Sequence, residues 1–142
     1  MVAFSMAIVA ILLLLFGIIL GVRIGGELAR SCVTKKEYWT ANLKIIGVGV
    51  VVSAIVSATG WIMLAGIPVG GMAGAIAALK MDFGESVGPW KFHDTFFRVN
   101  KDQVRRAGNA NAEAVRRARR DGTPEPEIIS VQDDADDANK GE

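Results

Sequence analysis

The sequence predicts an all-α integral membrane protein with two or three transmembrane helices, three being preferred, followed by a basic cytoplasmic helix and a disordered acidic C-terminus. Three observations carry this expectation. Charge is segregated: the 16 basic and 15 acidic residues of the chain all fall in residues 23–44 and 80–142, so residues 1–22 and 45–79 hold none. A helix of a soluble protein keeps one wet face, which these stretches lack. The apolar runs are long enough for a roughly 30 Å hydrocarbon core, which takes about 20 residues of helix. Small residues also recur at every fourth position within both runs. The net charge of +1 and the pI near 7.9 conceal this pattern.

Residues 2–22 form the first expected span, because lipid gives the backbone no hydrogen-bond partner and a helix satisfies itself. No basic residue precedes the run and it is long for a signal-peptide core, so a retained anchor is expected. Residues 23–44 read as a basic loop and juxtamembrane helix, with Arg23, Arg30, Lys35, Lys36 and Lys44. Thr34-Lys35-Lys36-Glu37 has the form of a capping box and marks a helix start.

The charge-free run 45–79 admits two readings. One is a single span from Ile45 to about Leu64, broken near Pro68, with a short re-entrant piece behind it. The other is a hairpin of two spans turning at Ala58-Thr59-Gly60-Trp61, with Gly60 as the helix stop. Lys and Arg collect on cytoplasmic flanks. Two spans would put the basic segments 23–44 and 80–106 on opposite sides of the membrane, whereas three put both inside. Three crossings with the N-terminus outside are therefore preferred. The interface aromatics agree: Tyr38 and Trp39 suit the inner boundary and Trp61 the outer one.

Gly17, Gly21 and Gly25 share one helix face, as do Gly66, Gly70 and Gly74, and Gly49, Ser53 and Ser57 repeat the pattern with small residues. Residues four apart lie above one another, and glycine faces let helices approach closely in lipid. Such helix-packing faces serve a homo-oligomer, other membrane subunits, or packing within one molecule.

Residues 80–99 are an aromatic interfacial segment, with Trp90, Phe96 and Phe97 expected at the headgroups. Residues 100–121 read as a basic helix beginning with a cap at Asn100 or Gln103. Its Arg105 and Arg106 are suited to anionic lipid, and nucleic acid is not an expected partner because no recognition motif accompanies the charge. Asp121-Gly122-Thr123-Pro124 ends that helix. Residues 122–142 form the acidic tail, expected to be disordered. In it Ile128-Ile129-Ser130-Val131 is a short β-prone run that would suit strand addition to a soluble partner.

No nucleotide loop, nucleophile–base pair or metal-ligand cluster occurs, so no catalytic residues, metal or cofactor are expected. His93 has no second histidine to join as a ligand, and Cys32 reads as an unmodified thiol. The outline of short spans, outside N-terminus and charged cytoplasmic tail resembles some phage holins. That resemblance is architectural and implies an oligomer that permeabilises the bilayer. The favoured expectation is a non-enzymatic anchor or assembly subunit of a larger complex in a bacterial or phage-encoded inner membrane, associating through the glycine-rich faces.

Overall fold

The computed structural model describes residues 2–107 and 110–126. Among these residues six α-helices follow in order: α1 (Val2–Ser31), α2 (Lys35–Ala58), α3 (Gly66–Phe83), α4 (Pro89–Phe96), α5 (Lys101–Arg106) and α6 (Ala110–Asp121). A short 3-10 turn, Ile62–Ala65, leads into α3. Among the described residues there is no strand. Three helical segments are long and apolar enough to span a membrane: Ala3–Ser31, Lys35–Ala58 and Ile62–Phe83. They suggest membrane localisation.

α1 has 30 residues, about 45 Å at 1.5 Å per residue. It runs on to Ser31, past the last charge-free residue at Val22, because nothing between them breaks a helix and Gly25 packs against α3. Of the basic loop and juxtamembrane helix expected over 23–44, the loop is confined to a tight connection at Cys32–Thr34, with helix on both sides. That connection is closed by a complete capping box. Thr34 Oγ1 accepts from the Glu37 backbone N–H at 3.2 Å, and the Glu37 carboxylate accepts from the N–H groups of Thr34 at 3.0 Å and Val33 at 2.7 Å.

α2 stops at Ala58, where the Thr59 hydroxyl donates to the Val56 carbonyl at 2.6 Å. Gly60 has φ +81°, a left-handed conformation that glycine adopts without a Cβ penalty, and the chain reverses there. A span broken at Pro68 does not form. Pro68 is the third residue of α3, in the first turn, where a missing N–H costs no intrahelical bond.

α1 and α3 are parallel. Gly17, Gly21 and Gly25 face Ile67, Gly71 and Ala75 in ascending order. α2 runs antiparallel to α3, with Gly49 on Met72 and Tyr38 on Phe83. Residues 23–44 and 80–126 accordingly gather at one end of the bundle, the basic end.

The buried core sits at that end: Ala29 and Cys32 of α1 and its connection, Tyr38 and Ala41 of α2, and Leu79 and Phe83 of α3. From Ala3 to Phe16 nothing is buried. Phe4, Leu12, Phe16, Val48, Val51 and Ile55 stand exposed along α1 and α2. Exposed apolar surface on this scale is foreign to a soluble monomer.

Candidate functional site

Two arrangements distinguish the molecule: a backbone-to-backbone seam between α1 and α3, and a polar cap over the basic end. In the seam, a Cβ placed on Gly17, Gly21 or Gly25 would collide with the carbonyl of Ile67, Gly71 or Ala75. Across it, a Cβ on Gly70 or Gly74 would collide with the carbonyl of Leu14 or Ile18, and one on Gly66 would meet the Ala10 oxygen at 3.2 Å. These glycines therefore face each other within one chain. Gly49 packs on the Met72 side chain. Ser53 is half-buried, and Ser57, expected on the same packing face, is exposed.

The cap begins where α3 ends. Residues 84–88 cross the bundle end and turn into α4 at Gly88, whose φ is +58° and where a Cβ would strike the Trp39 ring. Either constraint alone selects glycine. Pro89 then opens α4 at a position suited to its fixed φ. This path puts three polar side chains, Glu85, Ser86 and Asp94, in the interior.

Asp94 is 1 % exposed. Its carboxylate accepts from the Ser86 hydroxyl at 2.6 Å and the Lys80 ammonium at 2.9 Å, with His93 Nδ1 at 3.2 Å and the Asn100 amide at 3.4 Å. Burial pushes this carboxyl up. The hydrogen bonds from Ser86, Lys80 and His93 outweigh it and hold the group at about 2, below its ordinary 3.8. Asn100 precedes α5 with φ +49° but does not cap it, since its side chain is turned to Asp94 instead. The expected basic helix 100–121 is two helices, α5 and α6.

Glu85 is the second centre. Its Oε1 accepts from Arg116 Nη1 at 2.7 Å, and Lys35 Nζ lies 3.6 Å from Oε2, an ion pair beyond hydrogen-bond range. Arg116 Nε donates to the Val33 carbonyl at 2.8 Å, and its guanidinium lies 4.2 Å over the Phe83 ring. One side chain of α6 thus fastens that helix to the α1–α2 connection and to the segment after α3. The Ser86 N–H also donates to the Gln103 carbonyl at 3.2 Å, tying in α5.

The outward surface of the cap is aromatic and basic. Phe92, Phe96 and Phe97 are exposed, with Phe92 and Phe96 stacked at 6.1 Å and Phe96 and Phe97 edge-to-face at 5.1 Å. Arg105, Arg106, Arg117, Arg119 and Arg120 are exposed on α5 and α6. Trp39 and Trp61 are exposed at opposite ends of the bundle. Trp90 is half-buried, its ring 4.9 Å from Lys80 Nζ.

Tyr38 is a correction. Expected at the lipid interface, it is fully buried, 4.7 Å from the Phe83 ring, because the cap closes over the start of α2. Sequence reasoning also missed Lys80, Glu85, Asp94 and Arg116 as one constellation. No periodicity marks them, and the partners lie far apart in the chain. Cys32 is buried, and burial pushes its thiol up, away from reactivity. Among the described residues no three His, Cys, Asp or Glu side chains converge as a metal site. The expected acidic tail lies mostly outside the described residues, and Ile128–Val131 wholly so. No family model, curated protein sequence or solved structure matches the chain.

Proposed function

We propose that the protein is a non-enzymatic membrane anchor or assembly subunit, which holds a rigid aromatic and basic cap against the membrane face for a larger complex. The observation that supports this most is the double fastening of that cap, with Asp94 on Lys80 and Arg116 on Glu85 and Val33. Buried ion pairs are weak sources of net stability, and in some proteins they select one geometry over others. A defined geometry is of use to a docking platform. The glycine faces of α1 and α3 are engaged within one molecule, which leaves the cap, and the outer face of α2, for other subunits.

The collection of Arg23, Arg30, Lys35, Lys36, Lys44 and Lys80 at one end favours a cytoplasmic position for the cap, with the turn at Gly60 outside. An oligomeric, holin-like pore is the competing reading.

A potential-sensitive dye during induced expression in a bacterium separates them, combined with a photo-reactive residue in place of Phe96. The expected result is an intact potential at high inserted levels and a discrete cross-linked product from position 96. Abrupt depolarisation without such a product would replace the anchor by the pore.

A further inference from the structure

We propose that the groove between α2 and α3 is a binding site for one anionic glycerophospholipid, with an acyl chain in an apolar trough and the phosphate held by Lys36 and Lys44. This rests on the membrane reading above and adds a ligand to it.

The trough has a volume of about 280 Å³ and is walled by Ile45, Val48 and Val52 of α2 and by Pro68, Met72 and Ala75 of α3, with Ile24 and Leu28 of α1 behind. α2 meets α3 where Gly49 packs on the Met72 side chain, and Gly71 supplies no side chain to fill the trough beside them. The trough is not closed at the basic end. Leu28 and Lys44 also line an adjoining pocket of about 420 Å³, whose other walls include Ser31, Thr34, Lys36, Glu37 and Thr40. An apolar slot thus opens into a polar one at Ile45, the first residue of the charge-free run of α2, the level at which a bilayer passes from hydrocarbon to headgroup.

The electrostatics of the polar pocket select the occupant. Among the described residues its one carboxylate is the exposed Glu37, whose Oε2 accepts from the N–H groups of Val33 and Thr34. The hydroxyls of Ser31 and Thr40 donate to the carbonyls of Leu28 and Lys36. Lys36 and Lys44 are exposed, and among the described residues neither has a carboxylate within ion-pair distance. Two unpaired ammonium groups over an apolar slot match a phosphate joined to acyl chains. Long side chains at this level lie along the apolar wall and hold their charge in the headgroup layer. Each contributes a favourable term toward anionic lipid, so a preference of roughly tenfold or more over a zwitterionic lipid of identical chains is expected.

The test uses the full chain extracted from membranes in mild detergent. Native mass spectrometry reads lipid retention with phosphatidylglycerol and phosphatidylcholine of the same acyl chains. Alkaline carbonate washing of the membranes comes first. Release of the protein by that wash would defeat the membrane reading and this inference together. For protein that resists the wash, one phosphatidylglycerol per chain is expected, retained in preference to phosphatidylcholine. The double change Lys36→Gln and Lys44→Gln should abolish the preference. Val48→Trp, at an exposed position, should displace either lipid. Equal retention of the two lipids, or a preference that survives loss of both lysines, would overturn the site. So would a dimer that Val48→Trp dissociates, since a second copy would then be the occupant.

Discussion

Replacing Arg116 by Ala removes the link that holds α6 to the bundle. Three interactions disappear with it: the 2.7 Å bond to Glu85, the 2.8 Å bond to the Val33 carbonyl, and the contact over the Phe83 ring. Glu85, 2 % exposed, keeps only Lys35 at 3.6 Å, and that ammonium is itself half in water. Breaking a buried pair by removing one partner costs about 3–5 kcal/mol. Lys35 brings the expected value to the lower end, about 3 kcal/mol, or a shift of more than a hundredfold in the docked-to-open equilibrium. Limited trypsin digestion in detergent reads this directly. Cleavage at Arg117, Arg119 and Arg120 requires α6 to open, and its rate follows the open population when closing is fast. The rate should rise about a hundredfold, up to that of the free segment. Arg117→Ala, at an exposed position, should leave cleavage at the other sites unchanged. The double change Arg116→Met with Glu85→Met should recover much of the loss, because it leaves no buried charge unpaired. A rate for Arg116→Ala within about threefold of the parent would refute the account of α6 as a docked element.

Three further outcomes are expected. Asp94 is depressed from 3.8 to about 2, so its contribution, about 2 kcal/mol, is complete above the unfolded value and is lost as pH falls through 3.8 toward 2; amide exchange of α4, corrected for intrinsic rate, should be flat above about pH 5 and accelerate below pH 4. Gly21→Leu should drive α1 from α3 and destabilise the bundle by about 3 kcal/mol or more, whereas Gly47→Leu, with nothing within 4 Å of its Cβ, should leave the thermal midpoint in detergent near that of the parent. Cys32 should resist a maleimide reagent in the folded protein and react once the cap is denatured, and rapid native labelling would contradict its burial.

That the chain carries long apolar helices was legible from its two charge-free runs, whereas the division of the second run into two helices was preferred over a single span only through the basic flanks and the turn at Gly60. The start of α2 was legible as well, because Thr34 and Glu37 carry the whole capping box within four residues. The cap was not legible, for a physical reason. Arg116 meets Glu85 across 31 residues and Val33 across 83, and no local pattern encodes such pairings. A buried carboxylate is indistinguishable from a solvated one until the cation that neutralises it is located. Tyr38 was misread on the same account: an aromatic at the edge of an apolar run suits a headgroup layer, unless a later part of the chain folds over it. The glycine faces were visible, but spacing states only that a backbone approaches, and which backbone is settled by the parallel course of α1 and α3.

That parallel course has a consequence for biosynthesis. The partner of Gly25 is Ala75, about fifty residues later, so at ordinary translation rates the first span waits about 3–10 seconds for the third. Through that interval the glycine face of α1 is presented to whatever surrounds the nascent chain, because the residues it packs on lie in α3. A chain arrested after the turn at Gly60 would keep that face permanently vacant. Such a product is the form from which mispairing with foreign helices, recognition by membrane quality control, or capture by a sister chain would begin.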